Sequence, residues 1–234
     1  MKAILLAAGI GSRTSNIFHG KPKCLAQLEN GLSLLKYTLQ MLEKNGFDEV
    51  TIVVGYQKQF IEEEVRGLKR VKIIDNPNFN TTNSLGSLLC AKEVLDDDCL
   101  IMNADVFVSF DLYNLISKTT SSTIFYDSSR IIDADYRFQI RDGKLINHGK
   151  ELSAESTDGE YVGCCFINKN EIGKFKNLLI EMANEGKTNR WWENILYDNP
   201  GQIDYLLKDV RGLSWGEIDT LQDYMHVKTL YEKK

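Results

Sequence analysis

The segment Leu6-Ala7-Ala8-Gly9-Ile10-Gly11-Ser12-Arg13, followed by Lys21-Pro22-Lys23, has the makings of an anion site. A Gly-x-Gly turn at the end of a buried strand lets backbone N–H groups approach phosphate oxygens without interference from a Cβ. Arg13 and Lys23 add positive charge suited to a triphosphate. The segment is not a Walker A loop, because no Gly-Lys-Ser/Thr follows at the required spacing, and it lacks the third glycine of the dinucleotide fingerprint. Taken alone it reads more readily as a strand-to-loop turn with solvated charges. Asp105 closes another apolar run. A carboxylate beside a triphosphate needs a cation between them, and Mg²⁺ takes one or two carboxylates together with substrate phosphates. Trp215-Gly216-Glu217-Ile218-Asp219-Thr220 offers further carboxylates, although Asp219 or Thr220 could equally cap the last helix. The histidines His19, His148 and His226 are scattered and form no triad-like pattern. The five cysteines (Cys24, Cys90, Cys99, Cys164, Cys165) have no CxxC spacing, which excludes a zinc framework and leaves reduced thiols. Cys164-Cys165 sits in an apolar run and reads as core.

These residues need elements to hold them. Lys2–Ala7 is a continuous apolar run suited to a strand buried on both faces. Leu35, Leu39 and Leu42 recur at helical spacing before Gly46. Val50–Val54, Val71–Ile74 and Cys99–Met102 read as further strands, with helices over Lys58–Leu68 and Ser84–Leu95. This alternation, continuing to about Tyr126, predicts a mostly parallel α/β sheet of Rossmann-like kind with helices on both faces. In such sheets ligands sit beyond the carboxyl ends of the strands, where Gly9, Gly11 and Asp105 fall. Beyond Tyr126 the pattern changes. Asp142-Gly143 is a hairpin turn between Arg137–Arg141 and Lys144–Asn147. A strand over Tyr161–Asn168, helices over Glu171–Glu185, Trp191–Tyr197 and Leu221–Glu232, and a strand over Asp204–Leu207 complete the reading. The chain is expected to be one domain over 1–234, with a nucleotide-binding core over 1–126. Residues 127–234 form a small mixed β/α lobe on the substrate side and a closing helix.

Composition narrows the class. In 234 residues, 43% are hydrophobic and 26% charged, which is globular and neither fibrous nor disordered. Twenty-eight basic against 33 acidic residues give a net charge of −5, so no basic stripe calls for nucleic acid. The N-terminal apolar run is far shorter than the roughly 20 residues of a membrane span. It is interrupted by glycines and followed by Arg13, so it reads as a mature strand, with no membrane partner, in a cytoplasmic protein.

Together the motifs resemble the nucleotidyltransferases that activate small phosphorylated molecules. The similarity is narrower to the cytidylyltransferase branch acting on phosphocholine, 2-aminoethylphosphonate and related compounds. The shared segments run in order along nearly the whole chain: Leu6–Arg13, Pro22-Lys23, Val53-Val54-Gly55-Tyr56, Asn76-Pro77, Thr82–Leu88, Asn103–Val106, Lys150-Glu151-Leu152, Tyr161-Val162-Gly163, Trp191-Trp192-Glu193 and Trp215–Thr220. The resemblance implies that Leu6, Ala7, Ala8, Gly9 and Gly11 hold pyrimidine and ribose through backbone. Ser12, Arg13 and Lys23 would hold the triphosphate of CTP, and Asn83, Ser84 and Ser87 would approach base and sugar. Asp105 and Asp219 would hold Mg²⁺, with Glu217 a substitute for either. Lys150 would approach the acceptor phosphate, and Tyr161, Trp191, Trp192 and Glu193 would line the acceptor side. If the two tryptophans are on a helix they point about 100° apart, one into the core and one to the pocket. The expected reaction is CMP transfer from CTP to a small phosphate- or phosphonate-bearing acceptor. Phosphocholine, 2-aminoethylphosphonate and a phosphorylated amino acid or amide such as phosphoglutamine are the candidates. Arg13, Lys23, Asp105, Lys150 and Asp219 carry catalysis in this reading, and the product feeds surface polysaccharide or lipid decoration. The alternatives are a sugar-1-phosphate nucleotidyltransferase and a catalytically silent nucleotide-binding module.

Overall fold

A computed structural model describes residues 1–11, 16–29 and 31–233. The predicted mostly parallel α/β architecture is present. Seven strands lie in the order β10-β6-β9-β4-β1-β2-β3. They are β1 (Lys2–Ala7), β2 (Glu49–Val54), β3 (Val71–Asp75), β4 (Cys99–Asn103), β6 (Thr123–Asp127), β9 (Gly159–Ile167) and β10 (Leu206–Asp209). β1 runs parallel to both β2 and β4, and β10 runs parallel to β6. β9 is antiparallel to both of its neighbours, β4 and β6. The hairpin β7 (Arg137–Arg141) and β8 (Lys144–Gly149) hangs from β9 through β7. Residues 127–234 therefore share the sheet with residues 1–126: β9 is threaded between two strands of the first half.

Burial on β1 alternates between two cores, as a strand buried on both faces requires. Ala3, Leu5 and Ala7 face one core; helices α1 (Leu34–Lys44), α4 (Phe110–Ser117) and α7 (Leu221–Glu232) cover it. Ile4 and Leu6 face the other, beneath α3 (Ser84–Cys90), α5 (Ile172–Asn184) and α6 (Asn194–Tyr197). The remaining helix, α2 (Lys58–Glu64), is shorter than the apolar stripe predicts, ending before Gly67 with its φ of 86°. α3 stops at Cys90 and gives way to a 3₁₀ turn over Lys92–Val94. The hairpin turn is as read: Asp142 and Gly143 have φ of 51° and 72°, the paired positive values of a tight two-residue turn. A two-stranded ribbon absent from the sequence reading joins β5 (Val106–Val108) to β11 (Trp215–Glu217), antiparallel. It brings the two acidic motifs together. Among the described residues no helix is long and apolar enough to cross a membrane.

Candidate active site

A cleft of about 360 Å³ opens at the carboxyl ends of β1 and β4. Its floor is Leu6, Ala7 and Ala8 at the end of β1, followed by Gly9 and Gly11. Two backbone bonds hold this end in place: the Ala104 N–H donates to Leu6 O (3.0 Å) and the Tyr56 N–H to Ala8 O (3.2 Å). Ser12 and Arg13 lie outside the described residues.

On one side stands an acidic cluster. Asp105 lies between β4 and β5, and the Ile218 N–H donates to its carbonyl at 3.1 Å. Asp105, Glu217 and Asp219 each offer a carboxylate oxygen within 4.8 Å of one another. The N-cap of α7 is Thr220, in a capping box with Asp223, so the Asp219 carboxylate is not the cap. It takes Lys23 instead. The Lys23 ammonium lies 2.6 Å from Asp105 Oδ2 and 2.7 Å from Asp219 Oδ1. Burial opposes its charge, but the two carboxylates outweigh burial and raise its pKa. Lys23 reaches this place from a 3₁₀ turn, Lys23–Leu25, whose Cys24 and Leu25 are buried as anchors. Burial, then Asp105 and Asp219, push the Glu217 carboxyl well above the carboxylate range. Three hard oxygen donors this close together are a set that suits a divalent cation of the Mg²⁺ type.

The second wall is the start of α3. Asn83 caps it, its side chain accepting from the Ser84 N–H, and Asn83, Ser84 and Ser87 all line the cleft. Buried Asn76 donates to Thr82 Oγ1 (3.1 Å) and Ser87 Oγ (3.0 Å). A Cβ on Gly86 would sit 2.5 Å from Thr82 Cβ, so only glycine lets this loop close on the helix.

The cleft is also lined by Lys150, Tyr161, Trp191 and Glu193. Lys150 Nζ donates to Asp135 Oδ2 at 2.6 Å and lies 5.7 Å from the Trp191 ring centre. Trp192 corrects the expectation. It is fully buried against Phe175, its Nε1–H donates to Asn103 Oδ1 at 3.2 Å, and it does not line the cleft. Neither tryptophan is on a helix, since α6 begins only at Asn194. The Trp192 backbone N–H donates to Ser84 Oγ at 2.9 Å, which ties this segment to α3. Glu193 is buried beside Asn103 and Tyr161. Burial, helped by the charge of Asp105, pushes its carboxyl up to about 7 against the lowering effect of its own backbone and those two side chains, and among the described residues no cation pairs with it.

Sequence reasoning missed Asn103, Asp135, Tyr136 and Tyr197. Tyr136 stacks on Tyr197 (centroids 5.9 Å), meets Trp191 edge-on (5.3 Å) and shares a hydrogen bond with His148 Nδ1 (2.9 Å). Tyr197 was findable, being four residues after Glu193 and so on its face of a helical turn. Tyr136 lies in a loop with no periodic signal. Cys164 and Cys165 are buried in β9, as read.

A curated choline-phosphate cytidylyltransferase of Streptococcus pneumoniae is 26% identical to this chain over the whole of both sequences. A 2-aminoethylphosphonate cytidylyltransferase of Lancefieldella rimae is 23% identical, covering 94% of this chain and 89% of its own. The solved structure of the Streptococcus pneumoniae CTP:phosphocholine cytidylyltransferase superposes with a TM-score of 0.80 over 98% of both chains, at 24% identity, and shows the same fold. The family model described as the MobA-like NTP transferase domain matches residues 3–125, the stretch that builds β1 to β4, the Gly9–Gly11 turn, Lys23 and Asp105. With more than half its length matched, and its cleft where that stretch ends its strands, this chain belongs to the MobA-like NTP transferase domain family.

Proposed function

We propose that the protein transfers CMP from CTP to a small phosphate- or phosphonate-bearing acceptor with an amine or amide at its other end. The observation that carries this reading is one cleft with two unlike parts. The Gly9–Gly11 turn, Lys23 and three carboxylates line one part of it, Lys150 and an aromatic wall another, and Glu193 lies between them, within electrostatic reach of both Asp105 and Tyr136. Relatives that act on phosphocholine and 2-aminoethylphosphonate support the nucleotide and the acceptor class.

An acceptor phosphate oxygen is already an anion near neutral pH, so the site needs no general base. It has to align the oxygen with the α-phosphorus and screen like charges. A new oxygen–phosphorus bond forms there as the bond to the β-phosphate oxygen breaks, and pyrophosphate leaves with the electron pair. Arg13 and Lys23 would hold the triphosphate, and the Lys23 ammonium would exchange its two carboxylate partners for phosphate oxygens. Lys150 would hold the acceptor phosphate. Asp105 and Asp219, with Glu217 as a substitute, would hold Mg²⁺, which screens the charge between the two reactants. Glu193 faces the acceptor's nitrogen end, where Trp191 and Tyr136 present aromatic faces suited to a cation. The first half of the chain, joined by Glu217 and Asp219 from the closing segment, then serves the nucleotide, and residues 128–197 serve the acceptor. The reaction belongs in the cytoplasm, where CTP is made, and its products suit surface polysaccharide or lipid decoration.

The test is pyrophosphate release from each nucleoside triphosphate in turn, with phosphocholine, 2-aminoethylphosphonate, phosphoglutamine and sugar 1-phosphates, with and without chelator. CTP with a phosphorylated amine or amide should give the fastest release, and chelation should abolish it reversibly. A faster reaction with a sugar 1-phosphate would overturn the acceptor class.

A further inference from the structure

The two ends of the cleft are braced by residues outside it. Arg130, in the loop between β6 and β7, does not line the cleft. Its guanidinium lies 4.0 Å from the Trp215 ring centre, and its Nη2–H donates to Trp215 O at 2.6 Å. The Trp215 Nε1–H donates to Asp127 Oδ2 at 2.9 Å, the same oxygen that faces Arg130 Nε at 3.8 Å. Trp215 is thus held at its ring, its indole nitrogen and its carbonyl. It opens β11, the three-residue strand that carries Glu217 and leads into Asp219. Among the described residues that strand pairs only with β5, and so short a two-stranded ribbon is not stable by itself.

Arg130 also faces the acceptor end. Its Nη1 lies 3.5 Å from Glu160 Oε2. The other oxygen of Glu160 accepts the Asp135 backbone N–H at 2.7 Å, and the Asp135 carboxylate holds Lys150 Nζ at 2.6 Å. Glu160 is buried on β9, one residue before Tyr161 in the cleft. A continuous chain of contacts therefore runs from Glu217 and Asp219 through Trp215, Arg130, Glu160 and Asp135 to Lys150. Among the described residues Arg130 is the one cation that pairs with Asp127 or Glu160.

We infer that Arg130 is a positioning residue that sets the acidic cluster and Lys150 relative to one another, acting through Trp215 on one side and Glu160 on the other. This inference rests on the nucleotidyl-transfer reading for the roles of the two ends. The planar guanidinium is what permits it: one group stacks on a ring, donates to a carbonyl and pairs with a carboxylate, which a lysine cannot do at once.

The experiment compares R130A, R130K and E160Q with the unaltered protein in two measurements. One is the KM and kcat for the acceptor. The other is the Mg²⁺-dependent rise in melting temperature produced by CTP without acceptor, which needs no turnover. R130A should raise acceptor KM at least about fivefold, and should lose at least about half of the Mg²⁺-dependent rise. R130K should keep the fold, since it keeps the charge, and show the same pattern with smaller changes. E160Q should raise acceptor KM while leaving the Mg²⁺-dependent rise intact, because the Trp215 arm is untouched. A lower melting temperature with unchanged acceptor KM and unchanged Mg²⁺ response in R130A or R130K would overturn the inference. So would equal loss of both responses in E160Q. Absence of CMP transfer by the unaltered protein would overturn the functional reading, and the CTP and Mg²⁺ melting data would still test the Trp215 arm.

Discussion

In the proposed reaction Glu193 and Lys23 have the most distinct roles, one toward the acceptor's nitrogen and one toward the triphosphate. Glu193 is buried with no cation paired to it among the described residues, and burial pushes its carboxyl up to about 7. The folded state therefore holds the Glu193 proton more tightly than the unfolded chain does. Stability should fall as pH rises from the ordinary carboxylate range through about 7, by roughly 3 kcal/mol if nothing compensates. Glu193→Gln should flatten that slope in melting curves taken between pH 5 and 8. With an ammonium-bearing acceptor the sign of binding is opposite: acceptor KM should fall as pH rises through about 7, as the carboxylate forms. Glu193→Gln should remove this component, raise acceptor KM at least about tenfold, or ~1.4 kcal/mol, and leave the KM for CTP nearly unchanged. Equal losses for CTP and acceptor would make Glu193 structural.

Lys23→Ala should lower kcat by at least about tenfold, because its charge matters most as the leaving pyrophosphate develops. It also removes the ammonium that pairs with Asp105, so Mg²⁺ alone should raise the melting temperature of the variant more than that of the unaltered protein. Asp105→Asn should remove nearly all turnover with the fold intact. Motif order made these residues legible in the sequence. What could not be read was which tryptophan faces the cleft, because that depends on where α6 begins. Trp192→Ala should cost about 3–5 kcal/mol of stability, whereas Trp191→Ala should cost little stability and raise acceptor KM.

At the scale of elements, the alternation of strand and helix from β1 to β4 was legible because β1, β2 and β4 are mostly apolar runs and β3 is a short β-branched segment between turn signals. β5 and β11 were not, because three-residue strands carry no periodic signal and are fixed only by each other. Yet this ribbon brings Asp105, Glu217 and Asp219 into one cluster. The loop before α3 is a second such device. Gly86→Ala would bring a Cβ to 2.5 Å from Thr82 Cβ, and should destabilise the protein by about 1–3 kcal/mol in urea unfolding. Nucleotide affinity should fall with it, since Asn83, Ser84 and Ser87 stand on the same turn.

For the whole molecule, the fold class follows from the sequence pattern, but the path of the chain does not. β9 comes from the second half and runs between β4 and β6, a long-range pairing that no local signal announces. Through it Tyr161 reaches the cleft, and Glu160, one residue earlier, reaches Arg130. The part of the cleft proposed for the acceptor is assembled from the 128–136 loop, the β8 end, β9 and α6, which explains why single residues such as Lys150 and Glu193 carried little meaning before the fold. The central claim is that one cleft joins a cytidine nucleotide to a phosphorylated amine or amide. The most direct measurement is phosphorus NMR with mass spectrometry on the product formed from CTP, Mg²⁺ and each acceptor in competition. The account predicts a CMP-acceptor diester carrying two coupled phosphorus signals (the phosphonate acceptor giving one of phosphonate type), with pyrophosphate in equal amount. Product from a sugar 1-phosphate in preference to every phosphorylated amine or amide, or no CMP adduct with any acceptor, would contradict it.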